Sequence, residues 1–103
     1  MTANELITLL ETSGIRFRYY QWEKPPPLPW GVVTQLGTNN LAADDIAYIK
    51  CRRYAIELCA AKKDSAAEAK IERVLDDAGI FWDSDEEYID SERMFVIRYE
   101  VTP

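Results

Sequence analysis

Apolar positions near the start of the chain recur at helical spacing. Ala3, Leu6, Ile7 and Leu10 fall at i, i+3, i+4 and i+7, the stripe of an amphipathic helix running from Thr2 or Ala3 to Ser13. Thr2 is placed as N-cap with Glu5 as its capping-box partner, and Gly14 stands where a helix end favours a left-handed residue. The period then changes to two. Ile15, Phe17 and Tyr19 alternate with Arg16, Arg18 and Tyr20, which predicts a strand over Ile15–Trp22 with one apolar face. Prolines at 25, 26, 27 and 29 break the pattern and predict a rigid connector into the next strand, Trp30–Leu36.

Gly37-Thr38-Asn39-Asn40 and Ala43-Asp44-Asp45 read as an exposed loop. A long third strand is expected from about Ile46 to Ala61, with Tyr54, Ile56 and Leu58 on one face. Ile49, Cys51 and Cys59 have the opposite parity, so a bulge or strong twist is expected near Arg52-Arg53. A second helix follows, with Ser65 and Glu68 as a capping box, Asp64 adding charge at its N-terminus, and Gly79 as its stop. Its apolar stripe is Ala67, Ile71, Val74, Leu75 and Ala78. A fourth strand begins at Ile80-Phe81-Trp82 and is interrupted by an acidic loop at Asp83–Glu87, with Tyr88-Ile89 as a short edge segment. The fifth strand is Arg93–Val101, where Val96 on the polar parity marks a central or interface strand.

The order α-β-β-β-α-β-β predicts a single α+β domain over residues 1–103: an antiparallel or mixed sheet of about five strands, with two helices packed on one face.

Composition narrows the chemistry. The chain has 18 acidic and 12 basic residues and no histidine, giving a formal net charge of −6. An acidic balance argues against binding nucleic acid by neutralising phosphates. Without histidine there is neither a Ser-His-Asp nor a Cys-His arrangement, nor a histidine metal site. No phosphate-loop, dinucleotide or nucleophile-elbow motif is present. Catalytic, cofactor and metal residues are therefore not expected. The carboxylate pairs Asp44-Asp45 and Asp76-Asp77 sit in contexts that read as exposed, without the enclosed pocket that acid–base work needs.

Six carboxylates lie in Asp83–Glu92. Asp83, Asp85 and Glu87 match the first spacings of a calcium loop, but Tyr88 stands where a glycine is needed and Met94 where a bidentate glutamate is needed. A solvated acidic hairpin, or an acidic face toward a partner, is the better reading. Lys50, Arg52 and Arg53, with Lys62 and Lys63, form the basic cluster, expected to pair with the acidic hairpin or with an acidic edge of another subunit. Cys51 and Cys59, eight residues apart on an extended strand, would lie roughly 26 Å apart and read as reduced thiols. No apolar run is long enough to span a membrane, and the start lacks a signal-peptide pattern, so synthesis in the cytoplasm is expected. The aromatic content suggests side chains left on the sheet surface, as at protein interfaces.

Many weak features in order carry a resemblance over nearly the whole chain. They run from Leu6–Leu10 with Gly14-Ile15, through Tyr19-Tyr20, Pro25–Trp30, Asn39-Asn40, Ala43-Asp44-Asp45 and Tyr48, to Tyr54-Ile56-Glu57-Leu58 and Lys63-Asp64. Ala67-Glu68, Ile71-Glu72, Leu75, Ala78-Gly79-Ile80, Tyr88-Ile89, Ser91-Glu92 and Tyr99-Glu100 complete it. The sequence resembles the tail completion, or tail terminator and head–tail joining, proteins of tailed phages and Firmicutes prophages. It departs from that pattern at Val33-Thr34, where a tyrosine is expected, and at Leu58-Cys59-Ala60, where a Leu-Tyr-Thr run is expected.

The resemblance implies a structural virion protein and no enzyme. Its subunits would form a ring, usually a hexamer, at the head-proximal end of the tail tube, and could be monomers before assembly. The implied partners are copies of itself, the major tail tube protein and the head–tail connector proteins. No cofactor, membrane or sequence-specific nucleic acid is implied. The implied location is the virion neck, after assembly in the host cytoplasm. Candidate interface residues are Asn39, Asn40, Asp44, Asp45, Lys50, Arg52, Arg53, Asp83, Asp85, Glu86 and Glu87. The alternatives are a head-completion protein on the connector side and an acidic protein-binding inhibitor.

Overall fold

The computed structural model describes residues 1–38, 41–43, 46–49 and 51–103, with side chains for 1–38 and 51–103. Helix α1, Ala3–Glu11, opens with the expected capping box: the Thr2 hydroxyl accepts from Glu5 N–H, and the Thr2 N–H donates to the Glu5 carboxylate. Thr2, first through its backbone N–H and then through its side chain, holds the Glu5 carboxyl below its usual range. The helix ends two residues short of Ser13, and the chain turns into strand β1, Phe17–Tyr19.

The order that follows is β2 Trp30–Thr38, β3 Leu41–Ala43, β4 Ile46–Ile49, β5 Arg52–Ala60, α2 Ser65–Asp77, β6 Trp82–Ile89 and β7 Met94–Val101. Strands β1-β2-β5-β7-β6 form one mixed five-stranded sheet, parallel at β1–β2 and antiparallel elsewhere. Taken with the two helices, this is the α+β arrangement in the order α-β-β-β-α-β-β.

Several expected features change: β1 is shorter than Ile15–Trp22, and β2 runs on past Leu36 to Thr38. The single strand expected over Ile46–Ala61 is two strands: β4 pairs with β3 in a separate two-stranded sheet, while β5 is central to the main one. The expected bulge is present opposite Arg53 and Tyr54, but the extra residue belongs to β2, where pairing slips between Gln35 and Gly37. The expected acidic loop at Asp83–Glu87 is the body of β6, which is continuous from Trp82 to Ile89 and pairs residue by residue with β7. As expected from Val96, β7 lies inside the sheet.

Helix α2 begins one residue earlier than its expected box. Asp64 is the N-cap and accepts from Ala67 N–H at 3.0 Å. Glu68 instead pairs with Lys63. Gly79 ends the helix at φ +69°, a conformation costly for residues with a Cβ.

Both helices lie on one face of the sheet. Leu6 and Leu10 of α1, with Ala67, Ile71 and Leu75 of α2, join Val33, Tyr54, Ile56, Leu58, Ile97, Tyr99 and Val101 in one core. Burial of a Leu or Ile contributes about 1.5–3 kcal/mol. The two core tyrosines are fully buried and both hydroxyls are bonded: Tyr54 Oη donates to Met1 O, just ahead of α1, at 3.0 Å, and Tyr99 Oη to the Glu72 carboxylate of α2 at 2.7 Å.

At the short edge, Phe17 lies over Gly31, its partner across the β1–β2 pair, and a Cβ at position 31 would collide with Cε2, Cδ2 and Cζ of the Phe17 ring. Phe17 is fully buried and has no room to yield. Gly31→Ala is expected to destabilise the fold by about 1–3 kcal/mol, the usual penalty for overpacking. A lower urea midpoint at unchanged slope is the expected result.

Candidate functional site

The sheet face opposite the helices has its own side-chain rows, set by the strand register. Val32, Glu57, Arg98 and Asp85 align across β2, β5, β7 and β6, and Trp30, Cys59, Val96 and Glu87 form the next row. Arg98 lies between two carboxylates in its row, 3.8 Å from Glu57 and 3.8 Å from Asp85.

The segment between β1 and β2 turns back along this face. Tyr20, at φ +68°, turns the chain out of β1 while its N–H donates to Val33 O at 2.8 Å. Trp22 Nε1–H donates to Gly31 O at 3.0 Å, and the Trp22 ring packs 6.0 Å from that of Trp30. The Arg18 guanidinium lies 4.6 Å over the Trp22 ring, within cation–π range. Trp22, Pro25 and Trp30 line one side of an apolar groove of about 280 Å³; Ile89 and Met94 line the other, and Cys59 and Val96 its floor. The expected proline-rich connector thus builds part of the open face.

The sheet has two exposed edges of unlike character. Strand β6 presents Asp83, Asp85, Glu86 and Glu87, all exposed. Glu86 pairs with Lys63 at 2.6 Å, and Lys63 also meets Glu68 at 2.8 Å, which raises the Lys63 ammonium above its usual range. Asp83, Glu87, Asp90 and Glu92 make no ion pair with the described residues. Strand β1 carries Arg18 and is preceded by Arg16, both exposed, with Lys24 in the segment that follows.

The expected interface residues therefore separate. Asn39, Asn40, Asp44, Asp45 and Lys50 lie outside the described residues. Arg52 and Arg53 begin β5, whereas Lys62 and Lys63 follow its far end, so the basic cluster of the sequence is split across the length of a nine-residue strand. Arg53 and Asp83 line one shallow depression of about 170 Å³, with the exposed Phe81. The expected pairing of basic cluster with acidic stretch is made by Lys63 and Glu86. Sequence reasoning passed over Arg16 and Arg18 as ordinary polar positions; their alternation with the buried Phe17 is the signal that placed them on one face.

Among the described residues, no group of three or more His, Cys, Asp or Glu side chains is placed to hold a metal ion, and no helix is long and apolar enough to cross a membrane. Cys59 is a free thiol. No protein-family model and no curated protein matches the chain.

Cys59 is buried, and burial, with Glu57 adding to it, pushes its thiol up to about 12. The raised value means that folding favours the protonated thiol. Its stabilising share is complete below the unfolded pKa, near 8.5–9, and falls as pH rises from there toward about 12. Cys59 is expected to resist a thiol reagent such as Ellman's at about pH 8 until urea unfolds the chain. Rapid labelling of Cys59 in the native protein would contradict this placement.

Proposed function

We propose that this chain is a structural subunit of a tailed-phage neck, forming a ring at the head-proximal end of the tail tube. There it ends tube polymerisation and presents a surface to the connector of the filled head. The phage setting comes from the ordered resemblance along the chain. The observation that carries the assembly role is the sheet with two unlike exposed edges, a long acidic one at β6 and a short basic one at β1. A closed ring requires a heterologous contact, in which one patch of a subunit meets a different patch of the next. Exposed strand edges are ready sites for such contacts.

The role requires no bond-making chemistry, so the absence of histidine from the sequence costs it nothing. In the assembled hexamer, the acidic β6–β7 turn with Asp90 and Glu92 faces the bore, where negative charge repels DNA phosphate and lets the genome pass. Arg52 and Arg53 belong to the opposite end of the sheet and face away from the bore.

Electron microscopy of tails assembled without this protein tests the reading. Tubes of uncontrolled, excessive length are expected. Tubes of normal length left unattached to heads would instead assign the chain to the connector side. Normal infectious particles would contradict both neck roles.

A further inference from the structure

Resting on the ring reading above, we propose that successive copies of this chain meet edge to edge. The β6 edge of one copy lies antiparallel to the β1 edge of the next, with Glu87 opposite Arg16 and Asp85 opposite Arg18.

The register of the sheet leads to this pairing. Arg18 pairs with Val32 across β1–β2, so it heads the row Val32, Glu57, Arg98, Asp85. Arg16 stands one position before the Phe17–Gly31 pair, and its carbonyl accepts from Gly31 N–H at 2.9 Å. It therefore heads the row Trp30, Cys59, Val96, Glu87. Each row begins with an arginine at the β1 edge and ends with a carboxylate at the β6 edge. β1 runs parallel to β2, and three antiparallel steps lead from β2 to β6, so β6 runs opposite to β1. A second copy set beside the first in the same orientation thus brings its β1 antiparallel to β6, and each row that ends in a carboxylate continues into an arginine. Tyr20, which would face Asp83, has already turned out of the strand.

The four side chains are exposed. Glu87 makes no ion pair with the described residues, and Asp85 is 71% exposed beside Arg98. Arg18 is held over Trp22, which orders its guanidinium at the edge. Like edges repel: β6 against β6 opposes carboxylates, and β1 against β1 opposes arginines. Only unlike edges attract, and a heterologous contact of this kind gives a ring when a rotation added at each step brings the last copy back to the first.

The backbone at β1 explains why the contact is made by side chains and not by a continued ladder. Its outward groups are largely occupied: Phe17 N–H donates to Glu11, Phe17 O accepts from Arg18, and Tyr19 O accepts from Gln21 N–H. Exposed ion pairs are individually weak and are screened by salt. An isolated contact therefore dissociates readily, while closure gives every copy two.

Paired charge reversals test the arrangement. R16E/R18E makes both edges acidic and D85R/E87R makes both basic. Sedimentation velocity at low salt is expected to show concentration-dependent association of the wild type, lost on raising the salt. Each variant alone, with native circular dichroism, is expected to associate at least about tenfold more weakly. An equimolar mixture is expected to recover association, because every contact then joins unlike edges. If each variant associates like the wild type, or the folded variants fail to recover on mixing, the edge contact is overturned while the ring reading stands. A wild type that stays monomeric at the highest attainable concentration also overturns this contact, and the tail-length experiment then decides the ring reading separately.

Discussion

Two buried tyrosines hold the architecture in its one-sided form. Tyr54 and Tyr99 sit on the adjacent strands β5 and β7. Each fills the core with its ring and spends its hydroxyl beside a helix, Tyr54 on the Met1 carbonyl just ahead of α1 and Tyr99 on Glu72 of α2. A buried hydroxyl without a partner costs about 1–3 kcal/mol, so each bond ties its ring to the segment it reaches. The Tyr99 phenol is held well above its ordinary range, first by burial and then by the Glu72 carboxylate. Trp82 extends the same lock, stacking edge-on against Tyr99 at 5.4 Å and donating from Nε1 to Asp76 at 2.9 Å.

Because both helices are fixed to one face, the other face and the two sheet edges are left to other tasks. The segment between β1 and β2 covers part of the far face with Trp22 and Pro25, which shields Cys59 and Val96. The edges are treated differently. The β1 backbone is closed by Glu11, Arg18 and Gln21, whereas β6 is guarded by charge. Charged side chains on an edge strand discourage indiscriminate pairing and still admit a partner of opposite sign. The proposed assembly role uses this asymmetry.

Local signals in the sequence translated well into structure. The Thr2–Glu5 box, the apolar stripes of both helices and the alternation around Tyr54, Ile56 and Leu58 each depend on neighbours within a few residues and appear in the fold, except that Ala78, the last of the α2 stripe, is exposed. The α2 cap moves by one residue because Asp64 and Ser65 are both good caps, and Asp64 is the one that reaches Ala67 N–H. The acidic stretch misleads because Ser84, Asp85, Glu86 and Glu87 show no apolar alternation. An edge strand whose middle is solvated on both faces has none to show. The parallel β1–β2 pair and the split of the basic cluster follow from strand order, which depends on long-range packing and leaves no short-range trace. The candidate site was therefore legible in its acidic half and hidden in its basic half: Arg16 and Arg18 acquire meaning only once β1 is known to be the opposite edge.

The central claim is that this one-sided sheet assembles through its edges. Electron cryomicroscopy of the assembled ring tests it most directly. The expected map has β6 of each subunit beside β1 of its neighbour, with α1 and α2 away from the contact. A ring joined through the helices, with both sheet edges open to solvent, would contradict it.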